Sequence, residues 1–265
     1  MATRTRATAR APSALTAYVL HRYDWSESSL ILDLFTREQG RAAVAAKGVK
    51  RPYSQLRPVL LPFQRLHVGL GRVAGGDASN EVQNLRSAEW AGGAAMLTGA
   101  ALFSGFYLNE LLMKLLARHD PHAALFDTYA LTLPALAGAD DGQVEAALRA
   151  FELTLLKEVG VLPDLSLVTL TRQPLAGAAG YTLQPESGVG TPRGADARMS
   201  GDALTGLQAA LEHGSLPALQ QACTGVLPEL KVLLRGLLHY HLGTSLLRSR
   251  QVMMDVQNLE RPLPP

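Results

Sequence analysis

Nine cations, Arg22, Arg37, Arg41, Lys47, Lys50, Arg51, Arg57, Arg65 and Arg72, fall between positions 22 and 72 of this 265-residue chain, against four carboxylates in the same span. Lys and Arg at that density suit contacts to a phosphate backbone, because they neutralise it and release its counterions without reading bases. Tyr18, Tyr23, Trp25, Phe35, Tyr53 and Phe63 are interleaved with them, and aromatic faces can stack unpaired bases. Phe35 and Phe63 read better as core; Tyr23, Trp25 and Tyr53, in turn-like sequence, are the better platforms. The asymmetry is wider than this cluster: residues 1–80 carry a net charge of +7 and residues 81–265 a net of −5. A basic third joined to an acidic remainder points to a polyanion-binding module attached to something else.

Catalytic patterns are weaker. Gly69-Leu-Gly71-Arg-Val-Ala74 matches GxGxxA after a strand-like run, but a dinucleotide site needs a helix to start within the motif. Gly75-Gly76-Asp77 and a further strand-like run follow instead, so the motif reads as a hairpin turn. His239 and His241 stand two apart in a helical segment, on nearly opposite faces, where they cannot share a metal. Asp140 and Asp141 precede Gly142 and read as helix-capping chemistry. The single cysteine, Cys223, excludes an internal disulfide and reads as a small buried hydrophobe. No HExxH, CxxC or GxSxG string occurs. The chain is expected not to be an enzyme, and no cofactor is expected.

The elements that must position the basic cluster are short strands. Thr16–His21, Ser29–Thr36, Arg41–Val49, Phe63–Leu70 and Glu81–Ala88 are strand-like, with turn residues between. Five strands in this length suit a small closed barrel such as an OB-fold. From Ala94 the period becomes helical: Leu97, Ala101, Leu108, Leu111, Leu112 and Leu115 share a face. His119-Asp120-Pro121 breaks that helix, and Pro121 starts a second through Leu125, Phe126, Tyr129 and Leu133. A third runs from about Gly142 to Val159, with Gly160 as its stop. Residues 161–200 are rich in proline and glycine and read as an irregular excursion, with at most short strands near Val168 and Tyr181. Helices are expected again near Asp202–Glu212 and Pro228–Ser249. Gly92–Leu108 is the longest apolar stretch, but its glycines, Thr98 and Ser104 fit a buried helix rather than a membrane span. The start, MATRTRATARAPS, lacks an apolar segment, so a disordered basic tail over 1–13 is expected rather than a secretory signal.

The run AYVLHRYDWSESSLILDLFTREQGRAAVAAKGVKRP resembles the opening of the bacterial recombination mediator family RecO. The resemblance continues, in the family's order, through LRPVLLPFQRLHV, SGFYLNELLMKLL, DPHAALFDTYALTL and ALRAFELTLLKEVG, and thins after Gly160. It implies an α+β protein in two parts. An N-terminal five-stranded OB-fold β-barrel (14–90) precedes an all-α helical domain (91–265) with an irregular insertion. Many members carry a four-cysteine zinc site in that insertion. Here Val161–Ser200 has neither cysteine nor histidine, so no zinc is expected, and Leu165, Leu167, Val168, Leu170, Tyr181 and Leu183 must hold the segment by packing.

The resemblance further implies binding of single- and double-stranded DNA, annealing of complementary strands, and work with RecR. It also implies engagement of the acidic tail of single-stranded DNA-binding protein (SSB), help in loading RecA, and a cytoplasmic, nucleoid-associated location. DNA binding is expected at Arg22, Arg37, Arg41, Lys47, Lys50, Arg51, Arg57, Arg65 and Tyr53. An acidic tail ending in an apolar residue needs an apolar pocket with a cation at its rim. Arg149 beside Phe151 is the first candidate, with Lys114, Arg118 and Arg235 behind it; the competing reading pairs Arg149 with Glu145 or Glu152. Two other functions share the basic barrel. One is an RNA-binding OB factor associated with tRNA or ribosomes; the other is a peripheral membrane adaptor using the basic tail.

Overall fold

The computed structural model describes residues 14–71, 82–93, 96–138, 140–244 and 246–260. Residues 1–13 and residues 72–74 of the GxGxxA motif lie outside them. Strands β1 (Leu15–Asp24), β2 (Leu30–Thr36), β3 (Gly40–Ala46), β4 (Leu66–Leu70) and β5 (Gln83–Trp90) close into a barrel of order β1-β2-β3-β5-β4. The β3–β5 pairing is parallel and the others are antiparallel. This is the five-stranded barrel of an OB-fold. The antiparallel pairing of β4 with β5 makes the two strands that bracket the GxGxxA segment partners of one hairpin.

Alternation along the strands explains the closure. Ala17 and Val19 of β1, Leu32 and Leu34 of β2, Ala42 and Val44 of β3, and Leu66 and Val68 of β4 fill the interior. Three outward residues of β1 and β2 are also apolar: Tyr18, Leu20 and Phe35 are buried against the helical part. Tyr18, a stacking candidate by sequence, is therefore core, its ring 5.3 Å from Phe126 and 5.0 Å from Tyr129. Phe35 and Phe63 are core as expected.

The helical part begins with α1 (Gly99–Leu115), α2 (Ala123–Leu136) and α3 (Asp141–Glu158). Asp140 caps α3, its carboxylate accepting from Gln143 N at 3.0 Å, and Gly160 stops the helix in a left-handed conformation, φ 74°. The 161–200 excursion is packed. It holds a three-stranded sheet of β6 (Gly180–Gln184), β7 (Gly188–Gly190) and β8 (Met199–Ser200), ordered β7-β6-β8. Leu165, Tyr181, Leu183, Val189 and Met199 join the main core, and the Tyr181 hydroxyl accepts from Ala176 N at 2.9 Å. Leu170 does not take part; it is 81% exposed.

Helices α4 (Gly201–His213), α5 (Leu216–Thr224), α6 (Leu227–Leu242) and α7 (Arg248–Glu260) complete the described chain. Helix α5 escapes periodicity because it buries only Leu219 and Cys223. The single helix expected over Pro228–Ser249 is two: Gly243 adopts φ 64° and ends α6 before α7 starts. Among the described residues no helix is long and apolar enough to cross a membrane.

Candidate nucleic-acid interface

Strand register gives the barrel two ends with different surroundings. Asp24 pairs with Leu30 and Leu30 with Ala46 at one end; Ala17 pairs with Thr36 and Thr36 with Gly40 at the other. The second end is docked on the helices. Arg37 forms a bidentate pair with Asp127 of α2, 2.9 and 2.8 Å, and hydrogen bonding from Arg37 lowers the Asp127 carboxyl further below its usual range than burial raises it. Gly40, at φ 70°, leaves no room for a side chain, since a Cβ there would lie 1.9 Å from the Asp120 carbonyl oxygen. Glu38 accepts from Thr16 N through both oxygens, 3.2 and 3.0 Å.

Arg41, expected among the DNA contacts, belongs to this docked end and is taken up by internal partners. Its Nε and Nη2 donate to buried Asp33 at 2.8 and 3.0 Å. Its Nη1 donates to the carbonyls of Met113 and Leu116, which the end of α1 would otherwise leave unsatisfied. The guanidinium is a strut between barrel and helix.

The first end is built differently. After β3, Val49, Leu56, Val59 and Leu60 turn inward and pack on the barrel core. The polar residues between them therefore face out, and Lys47, Arg51, Tyr53 and Arg57 are exposed. The Lys50 amide donates to the Ser28 carbonyl at 2.9 Å, tying this loop to the β1–β2 turn that carries Trp25. Arg22 joins the group, its Nη1 donating to the Leu60 carbonyl at 3.4 Å. Lys50 is paired with Asp24 at 2.7 Å, and the Lys50 hydrogen bond lowers the Asp24 carboxyl. Lys47, Arg51 and Arg57 have no carboxylate within ion-pair range among the described residues. Five cations thus meet two carboxylates, Asp24 and Glu27, at this end. Tyr23, Trp25 and Tyr53 are 43%, 57% and 97% exposed beside them. Arg65 lies apart, with Arg37 near Asp127.

Two family models match the chain: one described as "Recombination protein O N terminal" over residues 13–93, the other as "Recombination protein O C terminal" over residues 96–251. The chain belongs to the RecO family. Proteins named DNA repair protein RecO from Polaromonas naphthalenivorans and Acidovorax ebreus are 54% and 52% identical to it, each over 92% of this chain and 96% of the relative. The RecO protein of Variovorax paradoxus is 51% identical with the same coverage.

The second candidate region of this RecO-family chain is a cleft of about 380 Å³ between α1, α3, α6 and α7. Phe103, Leu148, Leu238, Leu247 and Met253 give it apolar walls, and Arg149, Lys231, Arg235 and Arg250 line it as cations. Arg149 is only 8% exposed and pairs with fully buried Glu152 at 2.8 Å. The Tyr107 hydroxyl donates to the same carboxylate at 2.7 Å. Burial, then the Glu152 charge, pushes the Tyr107 hydroxyl well up. Burial likewise raises the Glu152 carboxyl against the opposing pull of Arg149. The pairing of Arg149 with Glu152 read from sequence is present, but it is internal. The Arg149 Nε is itself buried and has no hydrogen-bond partner among the described residues. His239 is held below its usual range by burial and by the Arg235 and Arg250 charges; Asp141 and Glu145 also line the cleft, and Glu145 pairs with Lys231 at 2.8 Å.

The residues expected to hold an acidic tail lie in different places. Phe151 is fully buried in the core and cannot touch a partner. Lys114 lies 3.9 Å from Glu110, outside the cleft lining. Arg118 bridges by backbone to Arg41 at the barrel's docked end. Arg235 lines the cleft together with Arg250 and with Lys231, which pairs with Glu145 at 2.8 Å. Lys231 and Arg235 are one turn apart on α6, a spacing visible in the sequence; Arg250 required the helix break at Gly243.

Proposed function

We propose that this chain acts in DNA repair as a strand-binding mediator. The barrel, residues 14–90, holds DNA backbones, the part from 91 to 265 docks partners, and the segment 1–13 adds positive charge. The observation that carries this reading is the free barrel end, where Arg22, Lys47, Arg51 and Arg57 stand exposed beside Tyr23, Trp25 and Tyr53. Cations there lower the repulsion that opposes the approach of a second strand, and no feature of the end selects a sequence. Annealing of complementary single strands follows, with double strands held by the same phosphate contacts.

The cleft between α1, α3, α6 and α7 suits the acidic, apolar-ended tail of SSB, with the exposed Arg235 and Arg250 at its rim. Docking there would bring the barrel to SSB-coated strands, where the chain works with RecR and prepares the strand for RecA. A cytoplasmic, nucleoid-associated location follows from that role.

Annealing of SSB-coated complementary oligonucleotides tests both parts, with intact SSB compared with SSB lacking its tail. Acceleration that needs the tail and is lost in the Arg235→Ala, Arg250→Ala double variant supports the reading. Acceleration indifferent to the tail removes the cleft assignment. For the barrel, a Lys47→Ala, Arg51→Ala, Arg57→Ala variant should reduce the slope of log K against log salt on single strands by about 2, at roughly 0.7 per lost phosphate contact. An unchanged slope refutes the barrel assignment.

A further inference from the structure

Tyr53 has a backbone that its residue type disfavours and a side chain that gains nothing inside the protein. Its φ is 66°, in the left-handed region where a bulky side chain is crowded. The Ser54 amide donates to the Arg51 carbonyl at 3.2 Å, closing a turn with Pro52 second and Tyr53 third. That is the type II arrangement, whose third position favours glycine.

Phe63 has a similar φ, 64°, and shows what normally offsets such a conformation: it is 4% exposed and packs 5.1 Å from Phe106. Tyr53 has no such compensation, because it is 97% exposed. The rest of the loop is firmly held, by Val49 and Leu60 in the barrel core and by Lys50 N on Ser28 O. A disfavoured residue at the tip of an anchored turn, flanked by Arg51 and Arg57, is a feature displayed toward a ligand.

We propose that Tyr53 is a stacking wedge for an unpaired base, and that it gives this barrel end its preference for single strands over duplex. The inference rests on the DNA-binding reading of the barrel end and adds a specificity-determining residue to it. Cations alone hold single and double strands by the same phosphates. A ring presented from a rigid turn reaches only a base whose face is free, since bases within a duplex are already stacked on their neighbours. Stacking tolerates any base, because each has a π-face, so the wedge selects strandedness and not sequence.

The test is Tyr53→Gly, with Tyr53→Phe and Tyr53→Ala beside it, on the full chain. Affinities are measured for a single-stranded oligonucleotide and for a duplex of equal length. Glycine relieves the backbone, so Tyr53→Gly is expected to raise the melting temperature by about 2–4 °C. It should also weaken single-strand binding roughly tenfold or more and leave duplex binding within about twofold. Tyr53→Phe keeps the ring and should bind single strands like the parent. Tyr53→Ala keeps the crowded backbone and should lose single-strand affinity without the gain in stability.

Equal losses on both DNA forms, or none on either, overturn the wedge. Neither outcome touches the barrel-end reading, which stands or falls on the salt slope of the Lys47, Arg51, Arg57 variant.

Discussion

Arg41→Met separates a structural cation from the exposed cations around it in sequence. Asp33 is 2% exposed, and Arg41 supplies both of its ion-pair hydrogen bonds, at 2.8 and 3.0 Å. Removing the guanidinium leaves a buried carboxylate uncompensated, a loss of about 3–5 kcal/mol in comparable pairs. It also strips the Met113 and Leu116 carbonyls at the end of α1 of their side-chain donor. For a chain of this size the melting temperature should fall by about 10 °C, at roughly 2–4 °C per kcal/mol.

Methionine preserves the length and apolar character of the stem, so the loss reports the charge pair. Adding Asp33→Leu removes the stranded carboxylate and should restore most of the stability. Urea unfolding followed by circular dichroism measures both variants. Single-strand binding by the folded Arg41→Met protein should keep the parent's salt slope, because the Arg41 guanidinium is taken up by Asp33 and the α1 carbonyls. A loss below about 1 kcal/mol, as for exposed ion pairs, would refute the strut. So would a slope reduced by the roughly 0.7 of one phosphate contact.

Two further outcomes follow from buried and capping groups. Glu110 accepts from the Arg248 and Ser249 amides at 3.0 and 2.9 Å and from the Ser249 hydroxyl at 2.7 Å, so it caps α7 from α1. Burial raises its carboxyl, but the Ser249 hydrogen bonds, with Arg248 N and Lys114, outweigh that and hold it below the usual range. Its folded pKa is thus below its unfolded one, so the stabilisation is complete above the unfolded value, about 4.3, and is lost as pH falls through the folded value. Protection of the α7 amides from hydrogen exchange, relative to their intrinsic rates, should fall in that acid window, and Glu110→Gln should loosen α7 at neutral pH. Cys223 is fully buried, and burial pushes its thiol up to about 12. It should resist a thiol reagent in the native protein and react at the rate of unfolding in urea.

The barrel and the first three helices were legible because each alternates or repeats at its own period, as TAYVLH and the Leu108–Leu111–Leu112 face do. The stops at Gly160 and the cap at Asp140 were legible for the same local reason. Helix α5 and the break at Gly243 were not, since two buried residues set no period and a glycine within a helical pattern can be either tolerated or a stop.

The nine-cation cluster is likewise a property of the chain alone, and it sufficed to indicate a polyanion partner. What each cation does was decided by position in the closed barrel. Strand register carries Arg37 and Arg41 to the end docked on α1 and α2, where carboxylates and helix carbonyls take them up. It carries Arg22, Lys47, Arg51 and Arg57 to the other end, with Tyr23, Trp25 and Tyr53. The cleft, too, exists only in three dimensions: Arg149 comes from α3, Arg235 from α6 and Arg250 from α7. Residue type sets the chemistry a side chain can perform. Whether it meets a carboxylate or open solvent depends on neighbours far away in the chain, and the tertiary fold supplies those.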